Sequence, residues 1–177
     1  MLQSNMNVGM ETLLQSLQST RNTLLSEIEM LNDTEVNVKP RRDKWSIIQI
    51  LHHLHLIEQS VTSALVYTLQ KREKKVVPFK DLQPLLNRTY KREAPQQMQP
   101  TETLMKKQQG IQLLEHSRKE LLHTLHSIGD EKELLENSLK HPVFHELNLY
   151  QWVQFLDLHE QRHLTQLKEA KYAILQR

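Results

Sequence analysis

Four long segments of this chain place apolar residues three and four positions apart, the spacing that gives a helix one apolar face. They run from about Met10 to Leu31, from Ser46 to about Lys75, from about Thr101 to Ile128, and from Asn148 to the C-terminus. With only 3 Gly and 6 Pro in 177 residues, the composition favours helix over sheet. We predict an all-α four-helix bundle that forms one domain, residues 10–177, after a flexible segment, residues 1–9.

Short sequence motifs indicate where the helices begin and end. Ser46 with Gln49, and Asn148 with Gln151, match the capping box that begins a helix. A loop is expected after the first helix. A long connection, residues 76–100, separates the second and third helices; connections of this length are often functional. We expect short helices near residues 81–90 and 130–139, and a non-helical approach to the last helix at His141-Pro142.

Composition excludes several classes of function. The chain has no cysteine, so it offers neither a disulfide nor a thiolate nucleophile or metal ligand. A net charge of +2 gives no strong attraction to nucleic acid or to an anionic membrane. No apolar run is long enough to span a bilayer, and the first residues lack a signal-peptide pattern. We therefore expect a cytoplasmic protein with neither nucleic-acid nor membrane partners.

Three histidines on two helices are the candidate metal ligands. His159 and His163 are four residues apart and share one face of the last helix, near its apolar stripe. His53 lies on the shoulder of the apolar stripe of the second helix, so packing of the two helices can bring the three imidazoles together. Three histidines with an open position are typical of a catalytic metal site. The alternative is that each histidine is a hydrogen-bonded core residue.

The other histidines show no such pattern. Helix rotation directs His52 to solvent and places His55 on the outer flank of the stripe. We expect His116, His123, His126, His141 and His145 to lie mostly on the surface or in loops.

Residues 159–163 also match the HExxH pattern of zinc peptidases, in which the glutamate is the general base. The longer peptidase motif is absent, because Gln166 and Glu169 stand where Gly and His would be. Glu160 is therefore a candidate general base, a candidate partner of a ligand histidine, or half of a buried ion pair. Glu58 faces inward too, and pairing with Arg162 or another cation would satisfy it.

The segment from Lys71 to Arg92 is rich in Lys and Arg. One interpretation is that it lines the pocket of the metal site and attracts an acidic small molecule. The other, which we prefer, is a solvated loop with charges at a helix end.

Two segments resemble the DinB/YfiT-like superfamily. WSIIQILHHLHLIE is similar to its first motif, W-S-x-x-x-[IL]-x-H-L-x-x-x-E, and HPVFHELNLYQWVQFLDLHEQRHLTQL is similar to its C-terminal motif. The resemblance covers the chain from about Glu11 to Ala170. The departure is His145, where the family commonly has Gly; a histidine there either narrows the pocket or adds a polar group to it.

The resemblance implies an up-down-down-up four-helix bundle with a divalent metal, nickel or zinc, on His53, His159 and His163. It also implies thiol S-transfer, with a low-molecular-weight thiol as co-substrate, or hydrolysis of a small molecule. The alternative is a non-catalytic helical stress-response module with a structural metal. Homodimer formation stays open.

Overall fold

The computed structural model describes residues 2–71, 73–89 and 93–176. Four long helices dominate it, as predicted, and a two-stranded hairpin is added to them. The helices are α1 (Leu2–Ile28), α2 (Asp33–Asn37), α3 (Ile47–Lys71), α4 (Lys107–His126), α5 (Lys132–Glu136) and α6 (Leu149–Leu175). The strands are β1 (Ser138–His141) and β2 (His145–Asn148).

The helix directions follow from contacts along each pair. α1 and α6 are parallel, because the Ser16 hydroxyl donates to Asp157 and, further along both helices, Lys171 donates to Glu27. α1 and α4 are antiparallel, because Arg21 near the middle of α1 reaches the Leu114 carbonyl in the first half of α4, whereas Lys107 at the start of α4 reaches the Ile28 carbonyl at the end of α1.

α3 and α4 run parallel, which completes the up-down-down-up order. Gly110 meets α3 near its start, and Ser117, further along α4, donates to Glu58, further along α3. A Cβ at Gly110 would lie 2.5 Å from Cδ1 of Ile48 and 3.2 Å from Cδ1 of Leu51. The missing side chain therefore lets the two helices approach closely at the end of the bundle where α3 begins.

One charged side chain from each long helix meets at the centre of the bundle. Arg21 donates from Nε to Glu160 (2.5 Å) and from Nη2 to Glu58 (3.3 Å). Arg118 donates to the same two carboxylates, each at 2.6 Å. All four side chains are at most 7 % exposed. We call Arg21, Glu58, Arg118 and Glu160 the charge ring.

The charge ring is satisfied by its own members and by nearby polar groups. Arg21 also donates to the Leu114 carbonyl, Arg118 to the Leu17 carbonyl, and the Ser117 hydroxyl to Glu58. Burial by itself raises the pKa of Glu58, but the charges of Arg21 and Arg118 outweigh burial and leave this pKa below its ordinary value. Two guanidinium groups and two carboxylates thus pair with one another in the apolar interior.

Apolar side chains fill the bundle on both sides of the charge ring. One cluster joins the first half of α1 to the first half of α6, and the other joins the second half of α1 to the start of α3. Fully buried members of the two clusters include Leu17, Leu65, Leu121, Leu147 and Leu149, and Leu24, Ile28, Ile47, Ile50, Leu51, Leu114 and Leu167.

The predicted helix starts are confirmed for α3 and only half confirmed for α6. Ser46 and Gln49 form the reciprocal capping box of α3. Asn148 accepts from the Gln151 amide as a cap of α6, but the Gln151 side chain bonds the backbone of Lys80 instead. Gln151 thereby fixes the long connection onto α6.

Several boundaries differ from the expectation. α1 begins at Leu2 rather than Met10, since residues 2–8 contain no strong helix breaker; the flexibility assigned to residues 1–9 stays a prediction. The loop after α1 contains α2, which Asn32 and Glu35 start with a capping box of their own. α3 ends at Lys71 and α4 begins at Lys107.

The long connection between α3 and α4 holds two 3₁₀ helices, Gln83–Leu86 and Gln96–Met98. The predicted helix near residues 81–90 is therefore a single short turn, and Tyr90 lies outside the described residues. The helix expected at 130–139 ends at Glu136, after which β1 begins. No helix among the described residues is long and apolar enough to cross a membrane.

The hairpin explains the departure at His145. β1 and β2 pair antiparallel, with His141 opposite His145, and His145 has a φ of 60°. This left-handed conformation suits glycine, because a Cβ there meets the backbone. His145 is exposed, so it adds a surface histidine to the turn.

We predict that His145→Gly stabilises the protein by about 1 kcal/mol, because it removes the cost of a Cβ at positive φ. Urea unfolding measures the change. His145→Ala is the control, since it shortens the exposed side chain and keeps the Cβ. Equal stability of the Gly and Ala variants would contradict the explanation.

We also predict that Arg118→Met destabilises the protein by about 3–5 kcal/mol, because it leaves two buried carboxylates with one guanidinium. Chemical denaturation compares it with Arg88→Met, which removes an ion pair with the largely exposed Glu169 and should cost less than about 1 kcal/mol. Similar small losses in both variants would show that the charge ring does not hold the helices together.

Candidate metal centre

The three predicted ligand histidines lie together between α3 and α6. One ligand atom from each of His53, His159 and His163 lies within 4.8 Å of those from the other two. The ring centroids are 4.5 Å apart for His159 and His163, 4.8 Å for His53 and His163, and 5.3 Å for His53 and His159. His53 and His163 are buried, whereas His159 is partly accessible. His159 is therefore the most accessible of the three ligand candidates.

Two of the rings are held by hydrogen bonds through Nδ1. Nδ1 of His53 lies 2.6 Å from the Met98 carbonyl, and Nδ1 of His163 lies 2.9 Å from Oε1 of Gln166. Because a carbonyl oxygen only accepts, Nδ1 carries the proton in both rings and Nε2 keeps its lone pair. This is the arrangement that orients a metal-binding imidazole.

Burial keeps the three imidazoles neutral. It lowers the pKa of His163 to about 3, with the neighbouring His53 adding to the effect and Gln166 opposing it. Burial lowers the pKa of His159 well below its ordinary value, helped by the charges of His163 and His53. The pKa of His53 is lowered by burial as well, against its bond to Met98. Neutral imidazole is the form that binds a metal ion.

Aromatic rings enclose the cluster. The Trp45 ring lies 4.8 Å from His53 and 6.1 Å from His163, and the Phe155 ring lies 5.2 Å from His159. Their apolar faces limit water around the histidines and restrict the rotation of the rings. The donor set and the enclosure fit a divalent metal such as zinc or nickel.

The spacing of the nitrogens also fits a shared ion. Two nitrogens bonded at about 2.1 Å to one tetrahedral zinc ion lie about 3.4 Å apart. The ligand atoms, which lie within 4.8 Å of one another, therefore have to approach by at most about 1.4 Å, a distance within the reach of side-chain rotation.

The remaining histidines do not all lie on the surface or in loops, as expected from the sequence. His141 is buried, and its Nδ1 accepts from the Val143 and Phe144 amides while its ring packs 4.7 Å from Phe155. The expectation of a loop position for His141 missed this burial because the turn folds back on α6. His145, by contrast, is exposed and does not enter the metal cluster.

His52 and His55 also lie deeper in the protein than helix rotation predicts. His52 is half-buried and accepts from the Thr101 amide, which comes from the long connection. His55 is buried against α4, and its Nδ1 has no hydrogen-bond partner among the described residues. The close approach of α3 and α4 buries this flank, which rotation about an isolated helix does not reveal.

Glu160 is bound in the charge ring. Both of its carboxylate oxygens accept from guanidinium groups, Oε1 from Arg21 and Oε2 from Arg118. The geometry thus favours the ion pair among the three roles considered for Glu160, and its role as general base stays a prediction. Arg162, considered as a partner of Glu58, instead donates to the Leu85 and Asn87 carbonyls.

Several basic side chains in the segment from Lys71 to Arg92 form ion pairs with glutamates elsewhere in the chain. Lys74 pairs with Glu136, Lys75 with Glu146, and Arg88 with Glu169. Arg92 lies outside the described residues. These pairs support the interpretation as a surface segment rather than a lining of the pocket.

We predict that Gln166→Leu weakens metal binding about 10- to 100-fold, because it removes the acceptor that orients His163. Competition with a chromogenic chelator measures the dissociation constant. Gln166→Glu retains an oxygen at this position and should bind at least as tightly as the unchanged protein. If Leu and Glu variants bind the metal equally, the Gln166 contact does not orient the ligand.

Comparison with solved structures agrees with the four-helix bundle fold. Among solved structures, TT2238, a four-helix bundle protein, superposes with a TM-score of 0.65 at 18% identity, over 90% of this chain and 98% of its own. YfiT from Bacillus subtilis, described as a probable metal-dependent hydrolase with an unusual four-helix bundle topology, gives 0.61 at 15% identity, over 92% and 85%. At these identities the likeness shows the fold.

Sequence comparison shows the family. The uncharacterized protein YuaE of Bacillus subtilis (strain 168) is 34% identical over 149 residues, which are 84% of this chain and 91% of YuaE. The sequence profile of the DinB superfamily matches residues 16–167, which include all three histidines of the cluster and the whole charge ring. This chain belongs to the DinB superfamily.

Proposed function

We propose that this protein is a metal-dependent enzyme that uses a divalent ion on His53, His159 and His163 to transfer a low-molecular-weight thiol to a small electrophile or to hydrolyse a small substrate. The observation that carries the proposal is the convergence of three neutral imidazoles, of which His159 is partly accessible. Structural metal sites are usually closed by four protein ligands, whereas catalytic sites keep a position for water or substrate.

A divalent ion on neutral imidazoles supplies a nucleophile at neutral pH, because it lowers the pKa of a bound water or thiol. The chain has no cysteine, so a thiol nucleophile has to come from solution. The description of YfiT as a probable metal-dependent hydrolase supports the hydrolytic form of the proposal. Nickel and zinc both suit imidazole ligands.

The protein's own residues orient and shield the site. The Met98 carbonyl and Gln166 fix two ligand rings, so little reorganisation accompanies binding. Trp45 packs against His53 and Phe155 packs against His159, the partly accessible member of the cluster. A substrate approaching there meets apolar ring surface, which favours small molecules with an apolar part.

We predict near-stoichiometric nickel or zinc in tag-free protein after loading, measured by mass spectrometry. His159→Ala and His163→Ala should lose most of the metal, because two imidazoles do not hold it. His126→Ala is the matched control, since His126 is exposed on α4 and should leave the metal content unchanged.

Activity is then measured against a panel of thiols with an electrophile and against chromogenic esters. The proposal expects turnover that follows metal content across these variants. Stoichiometric metal without turnover, together with a large drop in melting temperature on chelation, would favour the structural-metal alternative. Absence of metal after loading would contradict both the metal-dependent enzyme and the structural-metal alternative.

A further inference from the structure

A concave site lies apart from the histidine cluster. A cavity of about 220 Å³ opens between the starts of α1 and α6, where Tyr150 forms one wall. Tyr150 precedes His159 by nine residues, which is about 14 Å along α6. The two sites therefore cannot share one small ligand.

The cavity has an apolar floor and two aromatic walls. Met10 and Leu134 are buried at its base, and Leu135 lines it as well. The rings of Phe79 and Tyr150 are 6.2 Å apart and inclined by 57°, so their faces form an open angle. Phe79 is 61 % exposed, which is unusual for a phenylalanine that does not cover the core.

A carboxylate at the cavity adds the only charge in its described lining. Glu131 is half-exposed, and no cation pairs with it among the described residues. It lies close enough to Tyr150 that, after burial, its charge is the second cause of the raised pKa of the Tyr150 phenol. An adjoining, more open hollow shares Met10 and Glu131 and carries a second carboxylate, Glu11.

The polar groups of the cavity are few. The Tyr150 hydroxyl already donates to the Gly9 carbonyl at 3.3 Å, which leaves Glu131 as the main partner for a ligand. A primary ammonium would need three acceptors on leaving water, whereas a fully methylated, quaternary ammonium has no N–H, needs no acceptor, and is attracted by aromatic faces and by a carboxylate.

From this combination we infer that the cavity of Phe79, Tyr150 and Glu131 is a binding site for a methylated ammonium group on a small molecule. The volume equals that of about seven water molecules, enough for a trimethylammonium head and a short substituent. The ring faces contact the methyl groups, and Glu131 neutralises the charge from the open side. The site is independent of the metal centre and of the reaction proposed there.

Choline and 3,3-dimethylbutan-1-ol test the inference, because they have the same shape and differ only in the charge. A quaternary nitrogen has no lone pair, so choline's ammonium cannot coordinate a metal ion at the histidines. Titrations followed by ¹H–¹⁵N NMR should give at least about fivefold tighter binding of choline, with shifts centred on Tyr150 and Leu134.

Variants separate the contributions. Glu131→Gln and Phe79→Leu should each weaken choline binding about three- to fivefold and leave 3,3-dimethylbutan-1-ol nearly unchanged. Glu133→Gln is the matched control, because Glu133 is exposed in α5, which Glu131 immediately precedes, and does not line the cavity. All three side chains are partly or largely exposed, so these variants should fold.

Three results would overturn the inference. They are equal affinity for the charged and uncharged isosteres, equal effects of Glu131→Gln and Glu133→Gln, and shifts centred on His159 instead of Tyr150. A concentration-dependent dimer that covers Phe79 and blocks choline would overturn it as well, because the cavity would then be part of a protein interface.

Discussion

The charge ring at the centre of the bundle sets the register of all four long helices. Each helix contributes one member, and any slip of one helix by a residue would leave a charged group in the apolar interior without its partner. The cluster of His53, His159 and His163 depends on this register, because Glu160 lies between His159 and His163 in the chain and Glu58 lies five residues after His53. The ring thus aligns α3 with α6 where the imidazoles must meet.

The helical spacing of residues in the sequence was sufficient to predict much of this structure. Apolar spacing predicted the four helices, and the i, i+4 spacing of His159 and His163 predicted a shared face. The same reasoning applied to arginine would have found half of the charge ring. Arg21 lies in the stripe that contains Leu17 and Leu24, and Arg118 lies between Leu114 and Leu121, which are also inward.

Other features carry no signal in the sequence pattern. The acceptor for His53 is a backbone carbonyl, so the residue that supplies it, Met98, could be any amino acid. The two strands are four residues long and lack alternation, and their pairing depends on the turn that His141 closes. The HExxH match, by contrast, does not by itself distinguish the three roles considered for Glu160. Consecutive helix positions differ by about 100°, so Glu160 faces the bundle centre while its histidine neighbours face α3.

The parallel arrangement of α1 and α6 has a consequence for chain architecture. Each helix has 27 residues, so the first residue of α1 and the last of α6 lie about 40 Å apart at opposite ends of the bundle. A circularly permuted chain would need a linker of at least about twelve extended residues running along the outside. Protein domains fused to the two ends would point away from each other, and tension between them would load the α1–α6 interface in shear along the helix axes.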